Sequence, residues 1–379
     1  MGEIQVSLTL GIETSCDETS VALVEGGRKV LANVIHSQVD LHREFGGVVP
    51  ELAARDHLER LPHLLDLAFE QAGARPDDVG LIAVTRGPGL AGCLLVGVGV
   101  AEGLGTAWSR PVSGVNHLWG HIYAAMLTRP ELEPPLLGLV VSGAHSDLVR
   151  MPEHGRFEVI GRTRDDAAGE AFDKAARMLG LGYPGGPALD RLARSGNPDR
   201  RRLPRPSLAG LEYSFSGLKT ALLYRLRDLG EDVTDQDRAD LAAAFEQSVV
   251  GSLLEKLDKC LPTRGEVARR AGGGIQEVVI CGGVAANTLL RRRAAEVVSG
   301  RARLTMPPPE LCTDNAAMIA AAAWPPHRVG RSAAPEAQPG GGSHSPVAQL
   351  ASPPRGEVAR SAGGGSHSPI QVDPSLGWD

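Results

Sequence analysis

The chain has few aromatic residues, few cysteines and no long uninterrupted apolar run. Phe, Trp and Tyr make up 4% of its 379 residues, and its five cysteines are scattered without a C-x-x-C pair. This excludes a disulfide-stapled scaffold and predicts a protein of the reducing cytoplasm. The apolar stretch 89–105 is interrupted by Glu102 and is shorter than the roughly 20 clean residues of a membrane span. We therefore expect no membrane segment, and we see no signal-peptide pattern in the first residues.

A strong net charge is also missing. The formal net charge of -6 and the isoelectric point near 6.0 give no global attraction to nucleic acid, although a local basic patch could still provide one. With 42% hydrophobic residues, a chain of this length can bury a sizeable core, and its length favours two domains.

Strand patterns alternate with long helical patterns along the chain. Two apolar pairs, around residues 8–27 and 136–151, each enclose a polar turn, which predicts two hairpins. A third strand, EVVIC, runs into a Gly-Gly turn and a helix. The segments 50–73 and 238–261 carry apolar residues at spacings of three and four, which predicts long helices. This alternation indicates the α/β class.

One internal repeat lies outside these elements. RGEVARRAGGG at 264–274 recurs as RGEVARSAGGG at 355–365, and GGGSHSP occurs twice within the Gly-, Ser- and Pro-rich segment 332–369. Such a composition cannot bury enough apolar surface to order itself. We therefore predict that 332–369 is a disordered insertion.

Two histidines lie four residues apart in NHLWGH. On a helix, His117 and His121 would share one face, about 5 to 6 Å apart at Cβ, which is close enough to share a metal ion. Two ordinary helix residues would show the same spacing and are the commoner case. A third ligand is needed before the pair indicates a metal.

Three polar turns have the composition of a nucleotide site. They are the first hairpin tip with Glu13, Thr14, Ser15, Asp17, Glu18 and Thr19, the second tip with Ser142 and Gly143, and the Gly282–Gly283 turn before Asn287. Each alone could be a simple β-turn. Together they favour nucleotide binding, because backbone amides and a helix N-terminus suit phosphates.

Seven motifs then follow one another between residue 10 and about residue 323. They are GIETSCDETSVAL, HSQVDLHREFGGVVPELAARDH, NHLWGHIYA, DDAAGEAFDKAARMLGLGYPGGP, YSFSGLKTA, ICGGVAANTLLR and PPPELCTDNAAMIA. In this order they resemble the motifs of the tRNA N6-adenosine threonylcarbamoyltransferase family, in its bacterial branch. IQVDPSL also resembles that family's C-terminal strand.

The resemblance implies a two-lobed actin-like ATPase (ribonuclease H-like) fold, in which each lobe is a mixed sheet flanked by helices. It implies an N-terminal lobe at 1–115, to which 312–330 returns, and a C-terminal lobe at 116–311 that carries the metal and the nucleotide cleft. Residues 370–379 are expected to form a C-terminal strand.

The resemblance also implies the site residues. The metal ligands would be His117, His121 and Asp314, holding one divalent ion per subunit, Fe²⁺ or Zn²⁺. The residues that match the family's substrate-binding positions are Val140, Val141, Ser142, Gly143, Ala144, Asp173, Gly186, Asp190 and Asn287. Asp173 and the amides near Gly186 would orient the threonyl end of the donor, while the general base is unassigned.

Two positions depart from the family pattern in the second hairpin. Ala144 replaces a glycine, and Ser146 replaces a threonine. Alanine disfavours positive φ and adds a Cβ where a phosphate would approach, so the contact there is expected to change. Ser146 keeps the hydroxyl.

The implied reaction transfers the threonylcarbamoyl group from threonylcarbamoyl-AMP to N6 of the adenosine 3′ of the anticodon, in tRNAs that read codons starting with A. AMP is released. The implied partners are tRNA, a shorter inactive paralogue of the same fold, a small ATPase and a separate enzyme that makes the adenylate. Lys219 and the run Arg200, Arg201, Arg202 and Arg205 could contact tRNA phosphates, though such runs are more often only solvated.

Three alternatives remain. A metalloprotease would need a glutamate directly after the first histidine, where this chain has Leu118. A small-molecule kinase or ATPase of the same fold would turn over ATP without tRNA. A scaffold subunit that has lost the chemistry is suggested by Ala144 alone.

Overall fold

The computed structural model describes residues 8–205, 207–230, 232–262, 275–324 and 369–378. The strands are β1 (Leu8–Glu13), β2 (Glu18–Glu25), β3 (Lys29–Ser37), β4 (Val79–Gly87), β5 (Val112–Asn116), β6 (Leu136–Val141), β7 (Ser146–Glu153), β8 (Arg156–Arg162), β9 (Glu277–Cys281) and β10 (Arg303–Thr305). The helices are α1 (Val39–Arg43), α2 (Pro50–Ala72), α3 (Ala91–Trp108), α4 (His117–Thr128), α5 (Ala168–Met178), α6 (Gly185–Ala193), α7 (Ser216–Leu229), α8 (Asp235–Cys260), α9 (Thr288–Val298), α10 (Pro309–Cys312) and α11 (Ala316–Ala322).

The strands form two five-stranded sheets with the same topology. The first has the order β3-β2-β1-β4-β5 and the second β10-β9-β6-β7-β8. In each sheet a three-stranded antiparallel meander continues into two parallel strands. Helices flank both sheets, so the predicted α/β fold with two mixed sheets is confirmed. The lobe boundaries at 115 and 311 stay a prediction.

Helices α4 and α11 pack against each other next to β1. All seven residues of α11 are buried, and five of them are alanine, so the helix can approach its neighbours closely. Gly11 of β1 makes this approach possible, because a Cβ there would lie 2.2 Å from the carbonyl oxygen of Ala316. The loop before α11 is thereby held beside the end of β1.

Helix α3 is the apolar stretch noted in the sequence. By length and composition alone it could cross a membrane, with a mean hydropathy of 1.4 over 18 residues. One face of it, with Cys93, Leu94, Val98 and Ala101, is buried, and the helix contacts α2 and β4. The helix therefore packs through one face onto α2 and β4 of the same sheet layer.

The C-terminal segment differs from its prediction, because the described residues 369–378 form no strand. Asp373 donates its backbone N–H to Arg86 O at 2.8 Å, but Ser375, the next residue on the same side of an extended chain, donates its N–H to Asp373 Oδ1 at 3.0 Å and does not continue a ladder. Trp378 anchors the segment by donating to Asp147 Oδ2 at 2.6 Å. The two repeats and the predicted insertion 332–369 lie outside the described residues, apart from Pro369.

Candidate metal and nucleotide site

The two histidines occupy the first two turns of α4, where the chain leaves β5. Asn116 caps this helix, since its side-chain oxygen accepts the N–H of Leu118 at 2.9 Å. Asp314 comes from the loop between α10 and α11, and its Oδ1 lies 3.3 Å from His117 Nε2 and 3.4 Å from His121 Nε2. One potential ligand atom from each residue lies within 4.8 Å of the others. The fold thus brings the three predicted ligands together.

The hydrogen bonding of these residues fits a metal ion. His121 is fully buried, yet neither of its ring nitrogens has a hydrogen-bond partner in the described part of the chain. A buried polar atom without a partner costs roughly 1 to 3 kcal/mol. An ion bound by His121 Nε2, His117 Nε2 and Asp314 would give His121 Nε2 a partner and leave positions open for substrate oxygens.

A buried carboxylate contacts His117 at Nδ1, the ring nitrogen that does not face Asp314. Glu13, the last residue of β1, places Oε2 3.1 Å from His117 Nδ1 and accepts Thr85 Oγ1 at 2.5 Å. Its Oε1 accepts the N–H of Ser15 at 2.5 Å. If Nδ1 carries a proton bonded to Glu13, Nε2 is free to bind a metal, as in many histidine metal sites. The sequence placed Glu13 in a polar turn, but its contact with His117 could not be foreseen.

The charges of this cluster shift several pKa values. Burial lowers the pKa of His117, but the carboxylates of Asp314 and Glu13 outweigh burial and raise it well above its ordinary value. For His121, burial and the charge of His117 lower the pKa to about 4. Burial raises the pKa of Asp314, but His117 outweighs this and lowers it. At pH 7 His121 is therefore neutral and Asp314 ionised, which are the forms that bind metal, whereas His117 is protonated and would release a proton when an ion binds.

His145, at the second hairpin tip, was not singled out from the sequence. Burial lowers the pKa of its imidazole. Its charge is also among the causes that lower the pKa of Asp314 and of His121, so the tip lies within electrostatic reach of the metal ligands. His145 directly follows Ser142, Gly143 and Ala144, and this position next to predicted substrate-binding residues could have indicated it from the sequence.

Of the predicted substrate-binding residues at this tip, Val140 and Val141 are core residues of β6. The turn that follows is closed by the N–H of Ser142, which donates to His145 O at 2.8 Å. Gly143 and Ala144 are exposed at its apex. Ser109 is the one non-glycine residue with positive φ in the described ranges, so Ala144 is not strained.

Asn287 and Asp190 meet at the start of α9. Asn287 caps the helix by accepting Leu290 N–H at 2.8 Å. Asp190 Oδ1 accepts both the N–H of Thr288 at 3.0 Å and its hydroxyl at 2.7 Å. Asp190 is 7% exposed, so the alternative of a solvated helix face is wrong for this residue.

A further carboxyl group, Glu246 of α8, was missed from the sequence. Its Oε1 accepts Asn287 Nδ2 at 2.6 Å. Burial raises the pKa of Glu246 to about 7. The hydrogen bond from Asn287 lowers this pKa, and the charge of the neighbouring Asp190 raises it further. Helical periodicity gave no signal for it, because Glu246 falls on a largely buried stretch of α8.

Asp173 holds the start of α6. Its Oδ1 accepts the N–H groups of Gly185 at 3.0 Å and Gly186 at 3.2 Å. The predicted role of these amides in holding the threonyl end is therefore not available in this arrangement, because Asp173 already uses them. Its second oxygen has no such bond among the described residues.

Several other predicted polar groups have structural partners. Thr14 donates to Cys93 O at 2.8 Å, and Thr19 lies 2.7 Å from His57 Nδ1. Three of the four arginines in the basic run pair with aspartates, as Arg200–Asp240, Arg201–Asp237 and Arg202–Asp199. The contact of this run with tRNA phosphates stays a prediction, and the pairing of Arg200 and Arg201 with largely buried aspartates speaks against their part in it.

Comparison with known proteins adds three findings. Residues 29–321 match the family model of tRNA N6-adenosine threonylcarbamoyltransferase. Proteins of that name from Symbiobacterium thermophilum and Caldicellulosiruptor bescii are 51% and 48% identical, over 87% and 84% of this chain and 94% and 92% of their own lengths. The crystal structure of HypF from T. kodakarensis superposes with a TM-score of 0.52 at 13% identity, covering 83% of this chain and 46% of that chain. The last likeness concerns the fold alone.

Proposed function

Since the chain belongs to the tRNA N6-adenosine threonylcarbamoyltransferase family, it is a tRNA-modifying transferase, and we propose how its residues carry out the transfer. The donor is threonylcarbamoyl-AMP, and the acceptor is N6 of the adenosine 3′ of the anticodon in tRNAs that read codons starting with A. The amine nitrogen forms a bond to the carbamoyl carbon, the bond from that carbon to the phosphate oxygen breaks, and AMP and a proton leave. The observation that carries this proposal is the convergence of His117, His121 and Asp314 within 4.8 Å.

The metal ligands are His117, His121 and Asp314, with one divalent ion, iron or zinc, per subunit. The ion would act as a Lewis acid toward the charge that builds on donor oxygens. Glu13 keeps the ring of His117 oriented through its 3.1 Å contact with Nδ1. The donor chemistry of these side chains, two imidazoles and one carboxylate, supports a catalytic rather than a structural site.

The donor lies between the metal ligands and the start of α9. The adenosine end would contact Asn287 and Asp190, and the exposed backbone N–H groups of Gly143 and Ala144 would face the phosphate. Asp173 offers its free carboxylate oxygen to the threonyl end. Such fixed contacts would lower the barrier by holding the carbamoyl carbon within reach of the incoming amine.

The remaining partners are a shorter inactive paralogue of the same fold, a small ATPase and the enzyme that makes the adenylate, all in the cytoplasm. A pairing surface for the paralogue on the first lobe is supported by Leu58 of α2 and Leu95 of α3, which are 61% and 58% exposed. The lobes would run from 1 to 115, with 312–330, and from 116 to 311.

A reconstitution tests the proposal. Threonylcarbamoyl-AMP, an unmodified tRNA transcript and the protein with its partners are incubated, and nucleosides are analysed for the modified adenosine. We expect product from the wild type and from His63→Ala, an exposed histidine of α2, and none from His117→Ala or Asp314→Ala. Unchanged product from both ligand variants would overturn the metal assignment.

The alternatives have less support. Leu118, at the position where a zinc protease carries its glutamate base, is buried at 1% exposure. Glu13, a carboxylate 3.1 Å from His117 Nδ1, already bonds Thr85 and Ser15. For a kinase of the same fold, the two relatives reported above give no support, since both are named as the transferase.

A further inference from the structure

An open cavity of about 690 Å³ lies beside the site, between α1 and the outer face of α6. Its lining includes Arg43 of α1, Tyr183 and Pro184 of the loop before α6, and Ala188 and Arg191 of α6. We call it the arginine cavity. Apolar walls with two guanidinium groups at the rim suit a ligand that has both a flat ring and a negative charge.

The charge of the arginine cavity is available to a ligand. Arg191 is exposed and has no ion pair or hydrogen bond with any described residue. Arg43 pairs with Asp40 at 2.8 Å, but both side chains are mostly exposed, at 59% and 87%. An exposed pair contributes little and exchanges readily for a phosphate. Arg200 and Arg201 differ, since their partners Asp240 and Asp237 are largely buried, with side chains 2% and 18% exposed.

The arginine cavity is linked to the first hairpin turn by one hydrogen bond. Tyr183 lines it and donates its hydroxyl to Asp17 Oδ2, at 3.1 Å, in the turn that follows Glu13 and Ser15. Behind Tyr183, the start of α6 is held by Asp173. A polymer whose reacting nucleotide enters the transfer site can therefore place an adjacent nucleotide in the arginine cavity.

We propose that the arginine cavity binds the nucleotide next to the target adenosine in the anticodon loop of the substrate tRNA, with its base against Tyr183 and Pro184 and its phosphates at Arg43 and Arg191. This inference rests on the proposed function. Loop nucleotides are unpaired, so their bases can be splayed out onto aromatic side chains while arginines hold the backbone. The acceptor adenosine must also leave its stack to reach the metal ligands, and a second anchored nucleotide would hold it there.

The test measures tRNA affinity against salt, using the protein with its partners and an unmodified transcript. We expect Arg43→Ala and Arg191→Ala each to weaken binding and to lower the slope of log K against log salt by about 0.7. The affinity ratio of wild type to variant then shrinks by about threefold between about 50 and 200 mM salt. Arg191→Lys keeps the charge and should keep the slope. The control is Arg75→Ala, which removes an arginine from another exposed i,i+3 pair. Arg75 lies just before the start of β4, whereas Thr85, near the end of β4, contacts Glu13 of the site.

The outcomes separate the two proposals. Unchanged tRNA affinity and slope in both alanine variants, with wild-type transfer intact, would overturn the arginine cavity as an RNA site and leave the function standing. Weaker binding of a partner protein with unchanged tRNA binding would show that the arginine cavity is a protein-binding surface and would also overturn the proposal. A wild-type complex that binds tRNA but makes no modified adenosine would instead contradict the proposed function.

Discussion

Replacing Glu246 by glutamine should remove the contribution of this one buried carboxyl to the pH dependence of stability. Glu246 is buried on α8, where its Oε1 accepts Asn287 Nδ2 at 2.6 Å. Burial raises the pKa of this carboxyl from 4.5 to about 7, and the nearby Asp190 adds to the effect. Glutamine has nearly the same shape, keeps the acceptor for Asn287, and mimics the protonated acid because its NH₂ can donate toward Asp190.

The sign of the effect follows from proton counting. Between pH 4.5 and 7 the folded protein keeps a proton on Glu246 that the unfolded chain has released, so stability falls as the pH rises through this range. One pKa unit is worth about 1.36 kcal/mol, and the shift therefore destabilises the wild type by roughly 3 kcal/mol above pH 7. Below pH 4.5 the group is protonated in both states and contributes nothing of this kind.

Urea unfolding of wild type and Glu246→Gln at pH 4.5 and pH 8 measures the difference. We expect the variant to gain stability relative to wild type by roughly 3 kcal/mol between the two pH values, because all other titrating groups are common to both proteins. The control Glu296→Gln, an exposed residue of α9, should give a constant difference. A constant difference for Glu246→Gln would show that Glu246 is ionised in the folded protein and would refute the reasoning.

Three further predictions concern the site and its frame. Glu13→Gln should weaken metal binding by about 10- to 100-fold in competition with a chelator, since the carboxylate that orients the ligand ring is lost; an unchanged affinity would exclude the positioning role. Gly11→Ala should destabilise the protein by about 1 to 3 kcal/mol or more in chemical unfolding, because the new Cβ would lie 2.2 Å from Ala316 O. Gly99→Ala, which meets open space, is its control and should be neutral or stabilising. Ala144→Gly should leave product formation within about twofold, because no positive φ is relieved.

The secondary-structure elements could be predicted largely from local pattern, whereas the two-lobed fold was implied by the motif resemblance. The hairpins, the long helices and the Gly-Gly turn were visible in the sequence because each depends on neighbouring residues: Gly282, for example, has φ +89° and a Cβ there would lie 2.4 Å from Val141 O. The C-terminal segment was predicted as a strand because IQVDPSL resembles the family's C-terminal strand. Its hydrogen bonds join Asp373 to Arg86 and Pro374 to Gly89, which are distant in the chain, and a local motif does not show such pairing.

The site residues also divide into those that local spacing indicates and those that depend on distant contacts. His117 and His121 share a helix, so their spacing alone brought them to notice, whereas Asp314 could be added only through a motif resemblance. Glu13 and Glu246 escaped, because each acts through one contact across the fold, with His117 and Asn287. A single contact between distant residues produces no periodic pattern in the sequence, so such contacts become visible only in the side-chain hydrogen bonds of the structure.

The departure at Ala144 bears on whether this chain is an enzyme or a scaffold. The objection to alanine was that the tip needed a positive φ, yet Ala144 is exposed and does not have one. A scaffold would have no need of metal ligands, whereas here His117, His121 and Asp314 are all retained and lie together. The retained ligands and the family membership, rather than the identity of residue 144, therefore favour an active transferase.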